Sequence, residues 1–212
     1  MPKVYGINLS PFVRKVRVAL AEKNIAYDLD PVLPFGPRPE FMEISPLGKI
    51  PVYGEDDFTI PDSSVIIAYL ERTRPQPALY PADPRDFARA LFLEEYADTR
   101  LVDKGLTIFR ERFVNPRFMN KEPDTAAIQR TIEEDMPPIL DYFESRVDGG
   151  DAIVAGRFSV ADIAIASPFV NLMHADYKVD AARWPKLAAY LDNVHARPSF
   201  KALIEEEFAA TK

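Results

Sequence analysis

A serine close to the start of the chain lies where it could stabilise an anion. Ser10 is followed by Pro11 and by a stretch to about Lys23 in which apolar residues recur with helical spacing. Serine is a favoured helix cap and proline a favoured first helical residue, so a helix is predicted to begin directly after Ser10. Its hydroxyl would stand at the positive end of the helix dipole, where an anion such as a thiolate is stabilised. A plain helix cap explains the same residues without any chemistry.

A second helix start offers groups that bind charged ligands. Asp62 and Ser63 precede a stretch with helical periodicity that runs to about Arg72. The Ser63 hydroxyl and the free N–H groups of the first turn can bind a carboxylate, while the Asp62 carboxylate can bind an ammonium group. From these residues alone, simple capping of the helix is the favoured interpretation.

Two other groups of polar residues are interpreted as structural. Arg14, Lys15 and Arg17 form a local basic cluster, for which a solvated helix face is favoured over a binding role. Ser159 and Asp162 have the spacing of a capping box, and no histidine lies near them in the sequence. A catalytic pair is therefore disfavoured at that position.

The composition excludes several kinds of function. The 212 residues include no cysteine, so disulfides, thiolate metal sites and a protein-borne redox thiol are excluded, and any sulfur chemistry must use a substrate's sulfur. His174 and His195 lack the spacing of a metal pair, so no metal is expected. The net charge of −7 argues against nucleic-acid binding. With no long apolar stretch and no signal-peptide pattern, we expect a cytoplasmic protein without a membrane segment.

The pattern of elements predicts two domains. The first half alternates strand and helix, with strands near Lys3–Asn8 and Ala26–Val32 and two short strands at 52–53 and 58–60. Four prolines between Arg74 and Pro84 forbid a continuous helix there, so we predict an α/β domain over 1–78 and a helical domain over 85–212. The predicted helices of the second domain are 86–113, 125–147 with a kink or restart at Pro137 and Pro138, 160–173, 182–196 and 199–208.

Taken together, four motifs resemble those of the cytosolic glutathione transferases, of a serine type similar to theta and zeta bacterial members. They are Ser10-Pro11-Phe12, the run from Ser45 to Pro51, Asp62-Ser63 and the Ser159/Asp162 box. The resemblance covers essentially the whole chain. It implies the glutathione transferase fold, with a thioredoxin-like α/β N-terminal domain and an all-α helical-bundle C-terminal domain.

The resemblance also implies roles for individual residues. Ser10 would be the catalytic residue, activating the thiolate of glutathione as co-substrate, with Phe12 beside it in the glutathione site. Ile50-Pro51 would be a cis peptide that leaves the Ile50 backbone free to pair with glutathione as an added strand does.

The ends of glutathione would be bound elsewhere in the same groove. Asp62 and Ser63 would bind the γ-glutamyl group, and Lys49 the glycyl carboxylate. Where serine-type relatives often place His or Lys for that carboxylate, this chain has Phe35-Gly36-Pro37-Arg38, so Arg38 is a candidate substitute.

The second substrate is expected to be a small hydrophobic electrophile bound between the domains, with Phe35, Phe109 and Phe113 as candidate lining residues. A detoxifying, homodimeric transferase is the favoured interpretation. The alternatives are a non-catalytic ligand carrier or protein-interaction scaffold, and a glutathione-dependent isomerase, dehalogenase or peroxidase. Phe12 and Val13 follow Pro11 in place of the Ser and Cys of the maleylacetoacetate isomerase motif, which lowers that activity.

Overall fold

A four-stranded mixed sheet forms the centre of the N-terminal half. The computed structural model describes residues 1–33 and 39–211. The strand order is β2-β1-β3-β4, with β1 parallel to β2 and antiparallel to β3, and β3 antiparallel to β4. The strands are β1 (Lys3–Tyr5), β2 (Asp28–Asp30), β3 (Val52–Glu55) and β4 (Phe58–Pro61).

Three helices accompany this sheet: α1 (Pro11–Glu22), α2 (Pro39–Ile44) and α3 (Ser63–Thr73). Helix α1 connects the parallel strands β1 and β2, as a crossover connection requires. Val16 and Leu20 of α1 and Ile66 of α3 are fully buried in one apolar cluster with Val4 and Tyr53 of the sheet. This is the predicted thioredoxin-like domain.

All regular secondary structure in the described part of the C-terminal half is helical. Three π-helical turns, at 97–101, 110–114 and 131–135, join successive helices into two long rods. The sequence predicted one helix over 86–113 and a second over 125–147 with a kink or restart at Pro137 and Pro138. Pro137 and Pro138 lie in the first turn of the helix after the third π turn, where their missing N–H groups cost little. The helices are α4 (Pro84–Tyr96), α5 (Val102–Phe109), α6 (Asn115–Phe118), α7 (Thr125–Arg130), α8 (Met136–Glu144), α9 (Val160–His174), α10 (Pro185–His195) and α11 (Pro198–Ala210).

Helix α9 is the central helix of this half, buried on nearly every side. Its start is fixed by Asp162, whose Oδ2 accepts from the Ser159 N–H at 2.8 Å and from the Ser159 hydroxyl at 3.1 Å. Asp162 Oδ1 accepts from the Ile153 N–H at 2.7 Å and from the Tyr190 hydroxyl at 2.8 Å. Burial raises the pKa of Asp162 to about 6, although all four donors favour the carboxylate. The interpretation of Ser159 and Asp162 as a structural capping pair is confirmed.

Helix α1 lies between the two halves, and this overturns one prediction. It packs on α3 on one side and on α9 and α11 on the other. Arg14, Lys15 and Arg17 are all buried, so the solvated face predicted for them is wrong. Each pairs with acids of the helical half: Arg14 with Glu207, Lys15 with Glu94 and Asp98, and Arg17 with Glu206. Among the described residues, no helix is long and apolar enough to cross a membrane.

Candidate functional site

Ser10 caps helix α1 and keeps its own proton free. The residue has extended backbone angles, φ −81° and ψ 124°, and its Oγ accepts a hydrogen bond from the Val13 N–H at 3.3 Å. Within the described ranges, the Ser10 hydroxyl donates to no group. A hydroxyl can accept and donate at once, so the capping role and the donation of a proton to an anion are compatible.

The charge of Arg14 is not available to an anion beside Ser10. Arg14 donates to both carboxylate oxygens of Glu207, to the Ser167 carbonyl at 2.6 Å and to Asn171 Oδ1 at 2.8 Å. Both side chains of the Arg14–Glu207 pair are fully buried. Support for an anion at Ser10 therefore comes from the hydroxyl and from the N-terminal end of α1, whose first turn contains no acidic residue.

The loop before β3 presents a peptide edge. The Ile50–Pro51 bond is cis, as expected from the resemblance. The Ile50 side chain is buried, yet in the described part of the chain its backbone N–H and C=O have no hydrogen-bond partner. Buried Ser45 shapes the loop, because its Oγ donates to the Lys49 carbonyl at 2.7 Å and accepts from the Lys49 N–H at 3.2 Å. The free edge at Ile50 can pair with an extended peptide.

The start of α3 combines a strained backbone with an unused hydroxyl. Asp62 has φ +80°, a conformation that non-glycine residues rarely adopt. Its Oδ1 accepts from the Ser64 and Val65 N–H groups at 3.0 and 3.1 Å, which leaves Oδ2 open to solvent or a ligand. Ser63 is 4% exposed, and its hydroxyl has no partner within the described ranges. Strained residues of this kind cluster at ligand sites.

These three places share one edge of the N-terminal domain. The Asp62 N–H donates to the Pro51 carbonyl at 3.3 Å, so the cis peptide and the start of α3 are adjacent. Gly6, with φ +156°, lies against both α1 and Ile50: an added Cβ would come within 2.4 Å of Val13 Cγ2 and 3.5 Å of Ile50 Cβ. The N-terminal end of α1 is therefore next to the same edge.

Two residues predicted to bind glutathione lie beside this edge, and the described part of the structure assigns neither a contact that tests that role. Phe12 is half-buried in the first turn of α1. Lys49 is exposed, and its ammonium forms no ion pair within the described ranges. The predicted positions Phe35 and Arg38 lie outside the described residues.

The expectation that Phe109 and Phe113 line an open cleft is corrected. They are 6% and 3% exposed, and their rings stack at 5.1 Å inside the core of the helical half. Phe113 also faces His174 at 5.2 Å between ring centroids, because its face of the helix is turned toward α9. The nearest exposed ring is Phe118, 58% exposed at the end of α6 and 5.9 Å from Phe113. The sequence-based reasoning did not single out Phe118.

Two domain models agree with this architecture. One described as "Glutathione S-transferase, N-terminal domain" matches residues 4–78, and one described as "Glutathione S-transferase, C-terminal domain" matches residues 109–207. The chain belongs to the glutathione S-transferase family. In this member of the family, the edge formed by Ser10, Ile50 and the start of α3 lies in the N-terminal domain.

Several known proteins are similar along nearly the whole chain. The "Uncharacterized GST-like protein YibF" of Escherichia coli is 31% identical over 206 residues, covering 93% of this chain and 96% of that protein. "FtsZ-localized protein A" of Caulobacter vibrioides is 27% identical, covering 94% and 89%. The crystal structure of a glutathione S-transferase from Rhodospirillum rubrum superposes with a TM-score of 0.86 at 29% identity, covering 96% of this chain and 91% of that one.

Proposed function

We propose that this protein is a glutathione transferase in which Ser10 activates the glutathione thiolate for attack on small apolar electrophiles. The observation that carries the proposal is the free hydroxyl proton of Ser10 at the N-terminal end of α1, on the same edge as the unpaired backbone of Ile50. A ligand carrier would not require a free hydroxyl donor at this position.

The energy required is within reach of the groups present. A free thiol has a pKa near 8.5, and lowering it by about 2 units takes roughly 2.7 kcal/mol in favour of the anion. A charge-assisted hydrogen bond from Ser10 supplies about 1.5–3 kcal/mol, and the helix dipole adds about 0.3–1 kcal/mol. No general base is required, because the thiol proton leaves to solvent before the sulfur attacks. An electron pair of the thiolate sulfur forms the new C–S bond. The leaving group of the electrophile departs with the electron pair of the bond that breaks.

The rest of glutathione would lie along the same edge. The γ-glutamyl carboxylate meets the Ser63 hydroxyl and the N–H groups of the first turn of α3, and the ammonium meets Asp62 Oδ2. The cysteinyl backbone pairs with the Ile50 N–H and C=O, in the manner of an added strand. Lys49 balances the glycyl carboxylate, with Arg38 as the second candidate and Phe12 packing beside the sulfur.

For the electrophile, we propose an apolar surface that includes Phe118 and the half-buried Phe208 of α11. The Phe208 ring stacks on His174 at 4.0 Å, and His174 Nε2 lies 3.6 Å from Glu207 Oε2, which accepts a hydrogen bond from Arg14 of α1. Phe35 remains a predicted contributor. Aromatic surface of this kind favours apolar substrates over charged ones.

We also propose that the protein acts as a homodimer, as is usual in this family. Exposed apolar residues on α4, Phe87, Leu91 and Phe92, together with Val65 on α3, offer surface for a second copy. Light scattering coupled to size-exclusion chromatography tests this, and a single species of about 24 kDa would contradict it. A detoxifying role in the cytoplasm remains a prediction.

One relative favours a second function. The name of FtsZ-localized protein A gives weight to the scaffold alternative, in which the fold serves protein association. Isomerase, dehalogenase and peroxidase activities remain open as other uses of an activated glutathione.

Calorimetric titration of glutathione, together with conjugation of an aryl halide, tests the proposed function on the wild type and on Ser10→Ala. We expect both proteins to bind glutathione and only the wild type to turn over. A wild type that binds glutathione without turnover over a panel of electrophiles and hydroperoxides would contradict the proposal and favour the scaffold or carrier.

A further inference from the structure

The peptide group that precedes the Ser10 side chain is fixed at both ends. The Ser10 N–H donates to the Ile7 carbonyl at 3.1 Å, and the Leu9 carbonyl accepts from Asn171 Nδ2 of α9 at 2.7 Å. A peptide group is planar, so two hydrogen bonds on its opposite sides determine its orientation. The position of the Ser10 Cα therefore depends on a side chain of the C-terminal domain.

The amide of Asn171 can hold only one orientation. Its Oδ1 accepts from Arg14 Nη1 at 2.8 Å, and the residue is fully buried. A guanidinium only donates, so the oxygen must face Arg14 and the NH₂ group must face the Leu9 carbonyl. The assignment of the two amide atoms thus follows from the partners.

Arg14 is in turn fixed by the C-terminal helix. Its guanidinium pairs with both oxygens of Glu207 on α11, and neither side chain is exposed. Asn8, on the other side of Leu9, is also held: its Nδ2 donates to Glu206 at 2.8 Å, and its Oδ1 accepts from Arg17 at 2.9 Å. The loop that bears Ser10 is thus held to α9 and α11.

We propose that Asn171 is a positioning residue for Ser10, holding the Leu9–Ser10 peptide so that the serine hydroxyl meets the glutathione thiolate. This proposal rests on the proposed function of Ser10. Asn171 touches no part of the substrate in it and acts only through the Leu9 carbonyl. The other residues of the groove bind glutathione in its thiol form, so its affinity at pH values below the thiol pKa is independent of Asn171.

Two substitutions test the proposal. Asn171→Leu removes both bonds of the amide at similar volume, and Asn171→Asp keeps an acceptor for Arg14 while losing the donor to Leu9, which covers the case in which the first variant does not fold. The matched control is Glu22→Gln. It breaks the pair of α1 with Arg197, which bonds to Glu22 at 3.1–3.2 Å at the opposite end of α1 from Ser10.

Four readouts distinguish positioning from a general loss of structure. In the Asn171 variants we expect the pKa of the thiol of bound glutathione to rise by about one unit. From a wild-type pKa near 6.5, this lowers the thiolate fraction at pH 7, and with it kcat, by about threefold. KM for glutathione should rise by no more than about threefold at pH 7, which is the contribution of the thiolate to binding, and should match the wild type at pH 5.5. Amide hydrogen exchange over residues 7–14 should become faster. Glu22→Gln should match the wild type in all of these.

An unchanged thiol pKa and kcat in both Asn171 variants would overturn the proposal, as would unchanged exchange over residues 7–14. Failure of the proposed function has a different signature, a wild type that binds glutathione without ionising it. In that case the exchange measurement alone decides: faster exchange in the Asn171 variants, against an unchanged Glu22→Gln, supports the positioning of Ser10, and equal exchange overturns it.

Discussion

Replacing Glu207 with glutamine should strongly destabilise the protein. The substitution keeps the size of the side chain but removes its charge, which leaves the Arg14 guanidinium buried without a counter-ion. Both side chains of this pair are 0% exposed. Removing one partner of a buried ion pair costs about 3–5 kcal/mol. For a chain of this length, about 3 kcal/mol lowers the melting temperature by about 6–12 °C.

The pH dependence of the effect follows from the pKa of Glu207. Burial raises this pKa, but Arg14 and His174 outweigh burial and hold it below its usual value of 4.5. A carboxyl with a depressed pKa in the folded state stabilises that state at every pH above its unfolded value, and the contribution is lost as pH falls through the folded pKa. The ionisation of Glu207 therefore predicts a constant difference in the free energy of unfolding between the wild type and Glu207→Gln from pH 5.5 to 8. This difference should shrink below about pH 4.5.

Urea unfolding at pH 7, at one fixed protein concentration, measures the difference. Glu22→Gln is the matched control, since Glu22 of α1 pairs with Arg197, the N-cap residue of α11, and this pair is partly exposed. We expect the substitution to cost about 1 kcal/mol or less. The double variant with Arg14→Met should lose less than the sum of the two single variants. A Glu207→Gln protein within about 1 kcal/mol of the wild type would refute the reasoning about this buried pair.

Three further substitutions have defined outcomes. Asp162→Ala leaves four buried donors without their carboxylate and should lower the free energy of unfolding by at least about 3 kcal/mol in urea; a loss below about 1 kcal/mol would show that water replaces the carboxylate. Gly6→Ala places a Cβ 2.4 Å from Val13 Cγ2 and should cost about 1–3 kcal/mol and reduce conjugation, whereas a neutral result would mean that α1 shifts freely. Ala155→Gly relieves a φ of +52° and should raise the urea midpoint, by about 0.5 kcal/mol in stability; a lower midpoint would contradict the strain.

Local chemistry is what made the helix starts predictable. At each predicted helix start, the capping side chain and the groups it bonds to lie within three residues of each other, so a short stretch of sequence contains the whole signal. These starts are at Ser10, Asp62 and Ser159. The two-part architecture followed from the same periodicity and from the prolines between 74 and 84. No local sequence pattern of this kind predicted the three π-helical turns.

Long-range partners explain the errors. Arg14 and Arg17 looked solvated because the acids that neutralise them lie 193 and 189 residues further along the chain. For Phe109 and Phe113, helical spacing does not reveal which face meets α9. One feature of the sequence pointed to Asn171 and was not used: it is the single carboxamide in an otherwise almost wholly apolar helix. A polar residue in such a setting must find a buried partner.

The pKa of the thiol of bound glutathione, followed by thiolate absorbance from pH 5 to 10, tests the role of Ser10 most directly. Four proteins suffice: the wild type, Ser10→Thr, Ser10→Ala and Ser10→Asp. Asp caps a helix as well as Ser does but has no proton to donate, so it separates the donor role from the capping role. We predict a depressed thiol pKa, near 6.5, in the wild type and in Ser10→Thr, and a pKa of about 8.5 or above in the other two. A low thiol pKa that persists in Ser10→Asp and Ser10→Ala would contradict activation by the Ser10 hydroxyl.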